Sequence, residues 1–237
     1  MEKLLLIDGN SILNRAYYGI RPLTAPDGTP TNAVYGFLNI LFKYLEEEKP
    51  DYLCVAFDVK AKTFRHKMYD QYKAQRKPAP EDFLVQLPLI KEVLGAMRCA
   101  CIEMEGYEAD DLIGTVSLLC DEKKVACRIL TGDKDDLQLA SDNTVIKLVV
   151  TRMGKTTTTD YDAAQVKEKY GVTPKEFIDV KGLMGDPSDN IPGVKGIGEK
   201  TALSLIQNYH SIEEIYAHLD ELELTPSVRK KLAEDRD

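Results

Sequence analysis

The sequence predicts an α/β fold built on a mostly parallel sheet, and three observations predict it. Short apolar runs alternate with amphipathic, helix-length segments over the first 150 residues, the pattern of strands joined by helical crossovers. The best-defined runs each lead straight into an acidic turn: Asp8 after residues 3–7, Asp58 after 52–57, Asp133 after 125–130. Beyond about residue 160 the strand pattern gives way to helical periodicity.

In chain order, residues 3–7 (KLLLI) read as a buried strand ending at Asp8-Gly9-Asn10, and 11–20 as a helix. Residues 21–31, with Pro22, Pro26, Gly28 and Pro30, are a loop. From Asn32, the residues Val34, Phe37, Leu38, Leu41, Phe42 and Leu45 follow helical spacing. A second strand spans 52–57, an amphipathic helix 83–97, and a strand lies around 98–103. A helix opens near Glu108-Ala109-Asp110-Asp111, followed by strands at 125–130 and 144–150 and a hairpin turning at Met153-Gly154-Lys155. Helices are then expected at 162–170, 174–184, 199–208, 211–219 and 226–235.

With 237 residues, 43% of them hydrophobic and 30% charged, the chain has the makings of an ordinary soluble core. Its apolar runs are of strand length, so no membrane partner is expected. The start, Met1-Glu2-Lys3, lacks a signal-peptide pattern. Cysteines 54, 99, 101, 120 and 127 sit in or beside apolar segments without zinc-ligand pairing, as reduced thiols of a cytoplasmic protein would. A net charge of −8 argues at first against a nucleic-acid partner. Nine acids account for −9 of it, which leaves about +1 for the remainder, so local charge decides.

Those nine are Asp8, Asp58, Glu108, Asp110, Asp111, Asp133, Asp135, Asp186 and Asp189. In open parallel sheets the functional crevice lies outside the carboxyl ends of the strands. The first seven all fall just past strands, so a parallel arrangement gathers them at one edge. Carboxylates so crowded repel unless cations hold them. With no His or Cys ligand set, the oxygen donors point to two or more Mg²⁺ or Mn²⁺ ions rather than zinc. Paired metals suit in-line displacement at a phosphodiester. A helix N-cap is the plainer reading of any one of them, Asp110 or Asp135 above all.

Two stretches suit a phosphate-bearing partner. Residues 59–82 carry Lys60, Lys62, Arg65, Lys67, Lys73, Arg76 and Lys77, with Phe64, Tyr69 and Tyr72 interleaved; taken alone, the segment reads as a solvated basic loop or helix. In 185–202, Asp186 and Asp189 are spaced for one face of a helical turn. Pro192 to Gly198 is a glycine-punctuated hairpin leading into Glu199-Lys200-Thr201-Ala202. Gly193, Gly196 and Gly198 there permit positive φ and a close phosphate approach at a helix N-terminus.

The stretches LLIDGN, VAFDVKAKTFRHKMYDQYKAQRKPAPED, GYEADDLIGT, TGDKDDLQL and LMGDPSDNIPGVKGIGEKTA closely resemble the 5′-nuclease domain of bacterial DNA polymerase I, within the flap endonuclease family. The resemblance covers essentially the whole chain. It implies a PIN-like core over 1–160, with 59–82 as a helical arch or its base, and a helical region over 161–237 whose hairpin 191–201 is of helix-hairpin-helix type. It implies a first metal site of Asp8, Asp58, Glu108, Asp110 and Asp111, with Asp133 near both sites, and a second of Asp135, Asp186 and Asp189. Lys73 and Arg76 resemble arch cations at the scissile phosphate. Lys60, Arg65, Tyr72, Gly193, Lys195, Gly196, Gly198, Lys200 and Thr201 join them as DNA contacts, and K⁺ at the hairpin carbonyls is a further implied ligand.

The implied activity is 5′→3′ exonuclease and 5′-flap endonuclease on DNA, with RNA–DNA hybrids as a further substrate, in replication and repair. The implied partner is a polymerase, fused or separate. The sequence departs from the family at Asn14, where several relatives place a stacking aromatic; Tyr17 and Tyr18 are near substitutes or core residues. Relatives also continue past the Arg229-Lys230-Lys231 helix, so the chain reads as a fragment to which no polymerase activity can be assigned. An aspartyl-phosphate phosphatase would want an acid at Asn10. A non-catalytic branched-DNA-binding module would predict broken carboxylates, and a PIN-type ribonuclease would not need the hairpin.

Overall fold

A computed structural model describes the backbone of residues 1–152 and 155–235, with side chains for all of these except 151, 152 and 155. Among the described residues, six strands pair into one sheet: β1 (Lys3–Asp8), β2 (Tyr52–Ala56), β3 (Ala100–Ile102), β4 (Ala126–Thr131), β5 (Thr144–Arg152) and β6 (Lys155–Tyr161). Their order is β3-β2-β1-β4-β5-β6, parallel from β3 through β5 and antiparallel between β5 and β6. The turn expected at Met153-Gly154 lies outside the described residues.

The helices are α1 (Gly9–Gly19), α2 (Asn32–Glu48), α3 (Phe64–Met68), α4 (Glu81–Leu84), α5 (Gln86–Ala96) and α6 (Ala109–Lys123), then α7 (Ala163–Tyr170), α8 (Pro174–Met184), α9 (Glu199–Tyr209), α10 (Ile212–Ala217) and α11 (Pro226–Glu234). A 3₁₀ turn covers Asp135–Leu139.

The chain divides into two compact units, Met1–Phe64 with Pro78–Asp162, and Arg65–Lys77 with Ala163–Asp237. Residues 65–77 are thus grouped with the C-terminal unit, whereas the sequence reading groups 59–82 with the core.

In the first unit β1 is central and buried on both faces from Leu4 through Asp8, as the continuous apolar run of an inner parallel strand requires. Leu5, Ile7, Ile12, Leu13, Phe37, Leu41, Phe57, Ile90 and Leu94 are almost wholly buried in one core cluster. The sheet grows outward from β1 in both directions, to β2 and to β4. That reversal falls between β1 and β4, and the carboxyl ends of strands at such a point are the usual ligand position in open α/β sheets.

The second unit packs α8 against α9 over buried Phe177, Val180, Leu183, Leu205 and Ile206. Thr173 caps α8, accepting from the Glu176 N–H while Glu176 Oε2 takes the Thr173 N–H, so two orphan donors are met reciprocally.

Between α8 and α9 the structure differs from the expectation. α8 ends at Gly185, φ 69°, and residues 186–191 form a closed loop, with Asp186 and Ile191 exchanging backbone hydrogen bonds of 2.9 and 2.8 Å. Asp186 and Asp189 therefore sit on a turn and not on a helical face. An added Cβ on Gly193 would lie 2.6 Å from Leu183 O, and one on Gly185 2.6 Å from Ile191 O. Gly193 is thus explained by two backbones in contact. Gly196 has the expected positive φ, 81°, whereas Gly198 is extended at φ −101° with open space where a Cβ would go.

Candidate metal centre

Asp8 closes β1 and caps α1: its Oδ1 accepts the Ser11 N–H at 3.0 Å and its Oδ2 the Thr131 hydroxyl at 3.0 Å. It is 4% exposed. Burial pushes its carboxyl up to about 6, with the Ser11 and Thr131 hydrogen bonds opposing and the charges of Asp58 and Asp133 adding to the rise. Asp58, just past β2, donates its N–H to Asn10 Oδ1 and accepts the Ala109 N–H on Oδ1 at 2.7 Å. Asp58 thereby fixes the start of α6, the helix that carries Asp110 and Asp111. Glu108, at the cap of α6, donates its N–H to Asp111 Oδ2 at 2.8 Å, and Thr63 Oγ1 reaches Glu108 Oε1 at 3.5 Å.

Asp133 follows β4 and is exposed; its N–H donates to Thr131 Oγ1, and its Oδ1 accepts the Asp135 N–H at 2.9 Å. Capping does not exclude a part in a site, because a helix start at a strand's carboxyl end calls for a carboxylate at the edge where open α/β sheets usually bind ligands.

Among the described residues, Asp8, Asp110 and Asp136 form a close group, each offering a carboxylate oxygen within 4.8 Å of the others'. Asp136 is absent from the sequence-derived set. It is 3% exposed, and its Oδ2 is buried without a hydrogen-bond partner. Burial, followed by the charges of Asp110 and Asp8, raises its carboxyl well above the usual range. Three carboxylates so close together, one of them with a buried oxygen that lacks a partner, match the demands of a hard divalent cation.

Asp186 and Asp189 belong to the second unit. Burial would raise Asp186, but hydrogen bonds from Ser188 and Lys181 outweigh it and hold the carboxyl below its usual range. Asp189 accepts from the Tyr72 hydroxyl at 3.0 Å, pairs with Lys73 Nζ at 3.8 Å and is bonded by Arg76. The Lys73 N–H also donates to Asp189 O at 2.8 Å, and Lys73 adopts φ 56°.

Tyr72, expected among the base-stacking contacts, is 4% exposed, with its ring edge against His66 and Lys73 Nζ over its face. That ring is packing, not a free platform. Arg65 is half-buried, while Lys60, Lys195 and Lys200 are exposed and Thr201 half-buried. Asn14 is exposed; Tyr17 packs edge-on against Phe83, and Tyr18 is 70% exposed.

Arg15 was not signalled by the sequence. It donates from Nη2 to Gly132 O at 3.1 Å, bracing the turn that carries Asp133.

Fold and site together define a class: an α/β protein that gathers carboxylates at the switch point of a parallel sheet and carries a helix–hairpin–helix in a second unit. The family described as "5'-3' exonuclease, N-terminal resolvase-like domain" matches residues 3–171, and its companion, "5'-3' exonuclease, C-terminal SAM fold", matches 172–237. The chain belongs to the 5'-3' exonuclease family.

DNA polymerase I of Caldicellulosiruptor bescii is 49% identical over 99% of this chain and 27% of its own length. DNA polymerase I of Bacillus subtilis is 45% identical over 100% and 26%. The chain therefore spans about a quarter of the curated relatives it matches. Among solved structures, a T5 5'-exonuclease with bound zinc shares the fold at a TM-score of 0.77 and 23% identity, covering 98% of this chain and 84% of that one. The catalytic core of Rad2 in complex with DNA substrate shares it at 0.64 and 18%, covering 100% and 74%.

Proposed function

We propose that this chain is a divalent-metal-dependent 5′→3′ exonuclease and structure-specific 5′-flap endonuclease on DNA, serving primer or flap removal in replication and repair. The observation that carries the reading is the convergence of Asp8, Asp110 and Asp136 within 4.8 Å in a chain of the 5'-3' exonuclease family. All donors are carboxylate oxygens, which favours Mg²⁺ or Mn²⁺. Two such ions, when bound, supply an activated water and stabilise the leaving oxygen of an in-line displacement.

The chain's own residues divide the rest of the work. Asp8 and Asp110 hold the first ion, with Asp58, Glu108, Asp111 and Asp133 completing and orienting its surroundings. Asp135, Asp186 and Asp189 are proposed for the second. Lys73 and Arg76 donate toward charge developing on the scissile phosphate; both pair with Asp189 here, so an incoming phosphate competes with that carboxylate for them. Lys195 and Lys200 present cations, with Gly196 and Thr201 beside them, to a duplex backbone at the start of α9, with K⁺ at the hairpin carbonyls as a further ligand. Relatives that are DNA polymerases support a role fused to, or beside, a polymerase.

The test is a labelled 5′-flap duplex, alongside a 5′-recessed duplex and an RNA–DNA hybrid, with Mg²⁺ and with excess EDTA. Flap release and short 5′ products are expected only with Mg²⁺. Undiminished cleavage in EDTA sinks the mechanism, and binding without cleavage in every arm returns the chain to a non-catalytic DNA-binding module.

A further inference from the structure

Asp136 is the one carboxylate in the centre that spacing did not mark. It follows Asp135 in the acidic run Asp133-Lys134-Asp135-Asp136, where one more acid reads as solvated surface. The 3₁₀ turn decides otherwise. Three residues per turn put Asp136 and Leu139 on the same side, and Leu139 Cδ2 lies 3.5 Å from where a Cβ on Gly114 of α6 would be. The turn therefore lies against α6, and Asp136 is carried inward, toward Asp110 on the same helix. Asp133 stays exposed and Asp135 half-buried, so the inward turn singles out Asp136.

A buried carboxylate is costly unless something satisfies it. The Ser11 and Ala109 N–H groups are taken by Asp8 and Asp58, and the Thr131 hydroxyl, donated to Asp8, also acts on Asp136 as a side-chain hydrogen-bonding group. Asp136 Oδ2 has no hydrogen-bond partner and is shielded from solvent, while a carboxylate oxygen of Asp136 lies within 4.8 Å of oxygens from Asp8 and Asp110.

We propose that Asp136 is a direct ligand of the divalent cation and would hold it together with Asp8 and Asp110. The proposal rests on the metal-dependent reading above and deepens it. It predicts that the first ion is held by an inner carboxylate from the 3₁₀ turn, with Asp133, three residues earlier, left at the solvent side. The same residue then stabilises the metal-bound protein and destabilises the metal-free one, because only the cation satisfies its Oδ2.

That opposition is measurable without turnover. Mn²⁺ binding by calorimetry, and melting temperature with and without Mn²⁺, are compared for wild type, Asp136→Asn, Asp136→Leu and Asp8→Asn. The expected result is a loss of at least about tenfold in the tightest Mn²⁺ affinity for both Asp136 variants, since even outer-sphere partners of a metal are worth that much. Their metal-free melting temperatures should stay at or above that of wild type while the Mn²⁺-induced rise shrinks. Unchanged affinity in both Asp136 variants, with Asp8→Asn weakened, overturns the ligand assignment and leaves the functional reading intact. Unchanged affinity in all three variants overturns both.

Discussion

Gly132 has no room for a side chain. A Cβ there would lie 2.6 Å from Arg15 Nε and 2.9 Å from its Cζ, so any substitution must expel the guanidinium that bonds Gly132 O. Burial holds that guanidinium below its ordinary pKa, opposed by the charge of Asp133. Gly132→Ala is therefore expected to act on Asp133 through Arg15, lowering cleavage about tenfold with little loss of fold. Arg15→Ala should have a similar effect, and the double variant should be no worse than either alone, because both break one contact. Full additivity in single-turnover rates would separate the two residues. Lys73 is the other residue where two effects compete. As one phosphate contact among several it matters modestly to affinity; as a donor to developing charge it is worth about 10²–10³ in rate. Lys73→Ala at saturating enzyme distinguishes them: a slow chemical step is expected, and a near-normal one reduces Lys73 to a backbone contact.

At the scale of elements, the β5–β6 edge depends on a partly buried charge network. Lys147 and Asp160 are cross-strand partners; Lys147 Nζ lies 2.9 Å from Asp160 and 2.6 Å from Glu48 of α2, which Lys3 and Arg128 also approach. Burial would raise Glu48, but bonds from Lys147 and Lys3 outweigh it and lower its pKa. A carboxylate depressed in the fold contributes stability that is fully present above its unfolded pKa, about 4.3, and fades as pH falls through the lower folded value. Glu48→Gln should thus cost about 2 kcal/mol at pH 7, below the full range for breaking a buried pair because the network is partly wet. The gap from wild type should narrow below about pH 4 in denaturant melts; a gap independent of pH would assign the loss to packing.

The elements themselves were largely legible, because apolar runs and caps are local signals: α8 falls on residues 174–184 as its spacing predicts. The loop at 186–191 was not, since i,i+3 acids fit a helical turn and a closed loop equally. What separates them is the positive φ of Gly185 and the pairing of Asp186 with Ile191, neither of which periodicity records.

For the whole molecule, topology rather than spacing assembles the site. Asp8 and Asp110 are 102 positions apart, yet a parallel order reversing at β1 brings their oxygens together with those of Asp136. The strand end made Asp8 readable as a member of the cluster; Asp136 was hidden because its burial depends on how a 3₁₀ turn lies on α6. Tyr72 was misjudged for the converse reason: aromatic spacing in a basic stretch cannot tell a stacking face from a ring buried with its hydroxyl on Asp189.

The central claim, that this carboxylate centre holds the ion on which phosphodiester cleavage depends, is tested most directly by Asp8→Asn. Asparagine keeps the N-cap of α1 while removing one ligand charge. Single-turnover cleavage of a 5′-flap duplex at saturating enzyme, over a Mg²⁺ titration, should fall by at least about 10³-fold with flap affinity within a few-fold of wild type. Cleavage at more than about a tenth of the wild-type rate, with the same Mg²⁺ dependence, would contradict the account.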